Sequence, residues 1–540
     1  MQDSSSALAS HCVAFPKTGV KISILQELRS RHEHSTFDCF IDYHDPSKGV
    51  MKDKPFAEMT TTDVCEMIIK PLVRDYRCSY CDYLRNVLGR DDCVGAAQVF
   101  ISHAWKYTFV DVISSLEYHF VDRDPNVLIW FDLFSNNQII APALDFIWWS
   151  STFKSAIEDF GYVVVICLPW KNPEPFRRAW CLFEVYCAIV TNSRFEVAMS
   201  ASEHDSFLLS IVDDIAEYYN MLGNIQVESS ECWKDEDKAN IFGYVKTLPN
   251  KFNTVNSLIC DRMRSWVPYV LSKEIAANDD DEELRADLKA ALGSIHAKQG
   301  HFDDAIQVLD EALAVRIALN DGEEEGVKLA NIYYRKASVR YSQGKYDDSL
   351  ACSQRALSIY VSEQGEDHKD VAMVCNSIGL VLSSQGEASS ANEQYSRALA
   401  IYERVYGSEY TSYLPVADVY NNAAANHSNM REHELALKDY QQVLTIRKSK
   451  LGEDHPDIAN TYNNMGNVYM HQLKQQEALN YYEMSLTIRR SKLGEDHPFV
   501  GQVRICIQFM LYYSVEDGQI YYTIILTSNL CPILPSSDVQ

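Results

Sequence analysis

The chain has 540 residues, 46% of them hydrophobic, and a formal charge of -26 at pH 7. That length exceeds what one core can fill, so two or three globular domains are expected and a disordered chain is excluded. The acidic balance excludes a general affinity for nucleic acid, which needs a basic footprint, and equally excludes adsorption to an anionic membrane surface.

Residues 1–35 show no firm periodicity and read as a flexible tail. They lack a basic segment joined to an unbroken apolar core, and no later run reaches the length of a membrane span. A soluble, cytoplasmic protein is expected. Most of the 15 cysteines, such as Cys167, Cys187, Cys375 and Cys506, lie inside apolar periodic segments and read as reduced, buried residues. Residues 36–94 read as an N-terminal helical extension. In TTTDVCEMIIKPLV, starting at Thr60, a threonine and aspartate cap precedes Val64, Ile68 and Leu72 at i, i+4 spacing. Cys78-Ser-Tyr-Cys81 has the spacing of half a zinc site, but no second CxxC or HxxxH pair lies near it, and no metal is expected.

From residue 95 to 275 the pattern is α/β. Short β-rich runs at QVFIS (98–102), NVLIWF (126–131), YVVVIC (162–167), FEVAM (195–199) and NIQVE (224–228) alternate with helical segments. This predicts a mainly parallel sheet covered on both faces, with its chemistry at the carboxyl ends of the strands. The loops to inspect are SHAWKYTF, where His103 could face a cleft, DLFSNNQ, and LPWKNPEPFRRAW. In RRAWCLFEVYCAI (177–189) the carboxylate of Glu184 sits among Trp180, Cys181, Leu182, Phe183 and Val185. Facing inward it would need a compensating partner or a use; the alternatives are solvent exposure, pairing with Arg177 or Arg178, or capping. Trp130, Trp148, Trp149 and Trp180 read as packing residues. DEDKANIFGYVKTL and SLICDRMRSWVPYVL close the domain as helices, and the acidic run AANDDDEELRAD (276–287) reads as a solvated junction or a helix start.

The order of these runs resembles a TIR domain of flavodoxin-like fold. VFISHAW is similar to its first box, VLIWFDLFSNNQ to its second strand and following loop, and RRAWCLFEV to its WCxxE box. The resemblance implies self-association and, in catalytic members, cleavage of nicotinamide from NAD by the WCxxE glutamate, here Glu184. Ser102 and Trp105 then become nucleotide contacts, and no metal is required. A carboxylate suits such chemistry because it stabilises the ribosyl cation that develops as the bond breaks. This chain differs from that pattern in the Trp148-Trp149 pair, in a longer proline-rich loop before the WCxxE box, and in a sheet expected to continue through NIQVE. It carries no GxxxxGK[ST] nucleotide-binding motif.

Residues 284–514 repeat. SKLGEDHP recurs at Ser449 and Ser491, a period of 42 residues, and the helix-opening small residues Ala305, Ser349, Ala391, Ala436 and Ala478 are spaced by 44, 42, 45 and 42. Each unit has two helical segments, with Gly300, Gly344 and Gly386 at the break between them. One such pair cannot bury its apolar face alone, so the units are predicted to stack into a superhelix with a long concave surface. They resemble tetratricopeptide repeats of the kinesin-light-chain kind: about five repeats and a degenerate sixth helix. That family's concave face binds extended peptide segments of partner proteins, with asparagines hydrogen-bonding the peptide backbone. The matching positions are Asn376, Asn421 with Asn422, and Asn463 with Asn464, while the second unit has Tyr334. No sustained heptad precedes the repeats, which argues against a motor subunit. Residues 515–540 read as an irregular C-terminal tail. Two readings stay open: an adaptor that recruits a partner peptide, and an NAD-cleaving signalling enzyme regulated by its repeats.

Overall fold

In the computed structural model the strands, in chain order, are β1 (Thr18–Lys21), β2 (Thr36–Phe40), β3 (Val50–Pro55), β4 (Val94–Ala96), β5 (Val99–Ser102), β6 (Leu128–Phe131), β7 (Tyr162–Ile166) and β8 (Arg194–Ala198). The structure describes residues 15–43, 45–140, 146–319, 326–493 and 498–513. The chain divides into two compact units between Lys273 and Glu274.

The first unit is built on a six-stranded sheet of order β4-β1-β6-β5-β7-β8. β6, β5, β7 and β8 are parallel, with Ile101 opposite both Phe131 and Val164, and Val165 opposite Val197. Their side chains are buried almost without interruption, as befits strands covered on both faces. The helix Phe109–Phe120 covers one face. Thr108 caps it by accepting from Asp111 N–H, and Phe109, Val112, Ile113, Leu116 and Phe120 form its buried stripe. Trp130 is packed as expected, stacked on Phe100 at 4.7 Å and donating from Nε1 to the Pro16 carbonyl at 2.6 Å. Trp180 packs on Phe153 at 5.9 Å; the side chains of Trp148 and Trp149 lie outside the described residues.

Three expectations need correction. Residues 15–35 are not a tail: β1 joins the sheet antiparallel to β6 and β4, and the helix Ile22–His32 follows with Ile24, Leu25 and Leu28 buried. This strand pairs with partners 70 to 110 residues away, a contact that local periodicity does not reveal. Residues 36–94 are not wholly helical either, because β2 and β3 form a hairpin before the Thr60-capped helical segment, whose capping box with Asp63 is present. Finally, NIQVE is not a strand. Val227–Ser229 is a single 3-10 turn whose Val227 N–H donates to Asn256 Oδ1 at 2.9 Å, so the sheet ends at β8.

The second unit is an all-α solenoid. Its pairs are Glu282–Lys298 with Phe302–Leu319, Val327–Ser342 with Tyr346–Gln364, Lys369–Ser384 with Ala388–Tyr406, Leu414–Asn429 with His433–Leu451, and Pro456–His471 with Gln475–Leu493; the helix Pro498–Tyr513 follows. Asp281, in the acidic run, caps the first helix by accepting from Leu284 N–H. The EDHP sequence is explained locally: His455 Nδ1 accepts from Asp457 N–H while Pro456 takes the first helical position. The 45-residue spacing reflects the extra 3-10 turn Gly407–Ser412 between the third and fourth pairs. All five small residues from Ala305 to Ala478 are buried. Close approach is also set from the first helices, where a Cβ on Gly379 or Gly466 would stand 2.6 or 2.8 Å from the ring of Tyr395 or Tyr482.

In the fourth and fifth pairs the left-handed turn position is held by Arg431 (φ 62°) and Leu473 (φ 59°). A residue with a Cβ there is strained by about 1 kcal/mol or more, and Leu473 is 87% exposed, so it gains nothing by packing. Leu473→Gly is expected to stabilise the array by about 0.5–1 kcal/mol in denaturant titration.

Candidate functional sites

β5 is the first parallel strand; the chain then places β6 on one side of it and β7 on the other. Such a reversal opens a crevice at the carboxyl ends of the strands. Ser102 ends β5, Asp132 follows β6, and the helix Ala179–Val190, which follows β7, carries Cys181 and Glu184 to the same place. Ser102 Oγ donates to Glu184 Oε2 at 2.5 Å. Trp105 Nε1 donates to Asp132 Oδ2, also at 2.5 Å. The Cys181 thiol donates to the His103 carbonyl at 3.5 Å.

The two acids are deep-set without being sealed. Asp132 keeps 25% of its side chain open while its Oδ1 is buried with no hydrogen-bond partner, and Glu184 is likewise only partly covered. Burial pushes the Glu184 carboxyl up to about 8; the Ser102 hydroxyl opposes this and the Asp132 charge adds to it. Burial also pushes Asp132 up to about 7, against the indole donor of Trp105. His103 is enclosed, so burial lowers it to about 3 and its ring is neutral. Its Nδ1 lies 3.8 Å from Asp132 Oδ1, and its Nε2 has no partner.

Glu184 therefore does not pair with either neighbouring arginine and caps nothing. Arg177 faces Glu174 at 3.8 Å. Arg178 lines a cavity of about 460 Å³ together with Tyr43, Lys54, Thr62, Trp105 and Trp233. Of the two expected nucleotide contacts, Ser102 is buried with its hydroxyl committed to Glu184, whereas Trp105 joins the acid pair to this cavity. Sequence reasoning flagged the loop after β6 but missed Asp132. The available signal was an acid immediately after the fully apolar strand LIWF. Cys78 and Cys81 acquire no third ligand among the described residues.

In the second unit the first helices of neighbouring pairs approach one another more closely than the second helices do. The first helices thus line the inner, concave side. Asn376, Asn421 and Asn463 occupy the eighth residue of their helices, as does Tyr334. Adjacent pairs are cross-linked there: Asn422 Nδ2 donates to Asn376 Oδ1 at 3.1 Å, and Tyr334 engages Ser377 in the same relation one pair earlier. Asn422 and Asn376 are thus partly engaged with each other, each amide keeping further hydrogen-bonding capacity. Asn463 Oδ1 is buried without a partner, and Asn421 and Asn464 are half-buried on the same turn.

Residues 328–404 and 415–501 match the tetratricopeptide repeat family, and residues 288–323 match a further description of that repeat. The second unit is thus an array of tetratricopeptide repeats. The chain is similar to Protein KINESIN LIGHT CHAIN-RELATED 2 of Arabidopsis thaliana, with 26% identity over 33% of this chain and 30% of the relative. It is also similar to the Clustered mitochondria protein homolog of Homo sapiens, with 26% identity over 30% of this chain and 12% of the relative. It thus spans less than a third of the length of these relatives. Among solved structures, BtubC (BKLC) from P. vanneervenii is 23% identical, covering 44% of this chain and 91% of that one with a TM-score of 0.36. Among the described residues no helix is long and apolar enough to cross a membrane.

Proposed function

We propose that this chain is an adaptor that binds an extended partner peptide along the concave face of its repeats. The observation that carries this reading is the row of half-buried amides at one helical register, Asn376, Asn421 with Asn422, and Asn463 with Asn464, with polar capacity left over. An extended backbone offers one donor and one acceptor per residue, and primary amides supply both complements. Asn421→Ala and Asn463→Ala should each weaken partner retention by about 1 kcal/mol in a pull-down with the full chain, leaving the helices folded. Both variants holding every partner as tightly as the parent would refute the groove.

A second reading is favoured by the Ser102–Glu184 contact at the strand-order reversal. In it, the first unit is a TIR-like module that self-associates and cleaves NAD, with partner binding on the repeats as its regulator. Glu184, once ionised, stabilises the ribosyl cation, and Ser102 positions its carboxyl. NAD is here a substrate, and the residues need no further cofactor. Nicotinamide release by the protein, alone and after forced oligomerisation, is the test. Activity lost in Glu184→Gln supports this reading, and none in any assembly state of the parent removes it.

A further inference from the structure

All five helix pairs turn in the same way. In the first, His301 N–H donates to the His296 carbonyl at 2.9 Å and Gly300 N–H to the Ala297 carbonyl at 3.1 Å, with Gly300 at φ 81°. This doubly bonded turn sets the residues at its two ends side by side, where an apolar contact commonly forms. The equivalent bonds in the other pairs join Lys345 to Arg340 (2.9 Å), Glu387 to Leu382 (2.9 Å), Glu432 to His427 (2.8 Å) and Lys474 to Tyr469 (3.0 Å). Only the first pair sets two imidazoles at these facing positions. Asp304, in the first turn of the following helix, completes the group: one ligand atom from each of His296, His301 and Asp304 lies within 4.8 Å of the others.

The frame itself makes this meeting. In the second pair Asp348, the counterpart of Asp304, reaches Arg340, the counterpart of His296, at 3.8 Å. There a guanidinium answers the acid; in the first pair the counterpart position carries the imidazole of His296. His296 Nδ1 is buried with no hydrogen-bond partner. The other two ligating side chains are exposed, which leaves a route of entry.

We propose that His296, His301 and Asp304 bind a divalent first-row transition ion of the zinc class, tying the end of the first repeat's opening helix to the start of its second. Two imidazole nitrogens and one carboxylate suit zinc and its neighbours, with water completing the coordination, whereas magnesium and calcium prefer all-oxygen sites. The sequence pattern H-x4-H-x2-D spans a glycine turn and matches no familiar ligand spacing, so only the folded turn reveals it.

The test titrates metal-stripped full-length protein with Zn²⁺ against a chromophoric chelator. The 15 histidines include 13 outside this site that provide weak sites, so the comparison is between the parent, His301→Ala, Asp304→Asn and a control, His433→Ala. His301→Ala and Asp304→Asn should weaken the tightest Zn²⁺ equivalent at least about tenfold and abolish its contribution to the melting temperature, with His433→Ala unchanged. Co²⁺ at the same site should show visible bands without thiolate charge transfer, because no cysteine is a ligand. Unchanged stoichiometry and affinity in His301→Ala and Asp304→Asn, an equal loss in the control, or an equal response to Mg²⁺ overturns the proposal.

Discussion

Glu196→Ala should destabilise the first unit by about 3 kcal/mol, the largest single loss expected for a residue outside the cleft. Glu196 lies on β8 with its side chain 5% exposed, bound by Arg123 at 2.6 Å and by Arg194 at 2.5 Å, with His119 Nε2 at 3.5 Å. Removing the anion leaves Arg123, the more buried of the two arginines, without its counter-charge. Burial opposes ionisation of Glu196, but the hydrogen bond and charge of Arg123 outweigh it and hold the carboxyl below its ordinary 4.5. A lowered folded value means that this stabilisation is complete above about pH 4.5 and is lost as pH falls through the folded value. Urea titrations of parent and variant should therefore differ most at pH 7, with a smaller gap at pH 3. A gap of equal size at both pH values would show that packing, not charge, is what Glu196 contributes.

Glu184→Gln should act in the opposite direction. Glu184 is raised to about 8 in the folded chain against an ordinary 4.5, so between these values the folded state holds a proton that the unfolded state has released. Stability from this group is full below about pH 4.5 and lost as pH rises through about 8. Glutamine keeps the shape and can still accept from Ser102, but never ionises. The variant should match the parent below about pH 4.5 and exceed it by several kcal/mol above pH 8, while any nicotinamide release disappears. A variant less stable than the parent at every pH would contradict the cleft geometry, since it would imply a charged partner for Glu184. A ligand carrying positive charge should favour the ionised form and shift the titration downward.

These two carboxylates show where sequence reasoning reached and where it stopped. Four parallel strands and five helix pairs were legible because each is a local pattern: an unbroken apolar run, or a helical period repeated five times. The strand–helix alternation pointed to the loops at the carboxyl ends of the strands, while Glu184 itself was singled out by the WCxxE resemblance. Its pairing with Ser102 was not legible, because Ser102 lies 82 residues away and only the strand order brings the two together. The neighbouring arginines were the natural local candidates, but each points elsewhere, Arg177 to Glu174 and Arg178 to the cavity. β1 was missed for the same reason, since a four-residue strand paired with two distant partners carries no periodicity of its own. NIQVE carried strand-forming residues yet became a turn, because Asn256 of the long helix Phe252–Ala277 satisfies the Val227 amide that a neighbouring strand would otherwise take. The common register of the repeat asparagines was visible in the repeat period, whereas the hydrogen bond between Asn422 and Asn376 emerged only when adjacent helices were set side by side.

The groove is the central claim, and its most direct measurement is a fluorescence-anisotropy titration of the full chain with a peptide selected against it from a displayed library. Asn376→Ala, Asn421→Ala and Asn463→Ala together remove three amides from one register. At about 1 kcal/mol each, they should weaken the peptide about 100-fold with helicity unchanged. Affinity within about twofold of the parent in the triple variant would contradict the account.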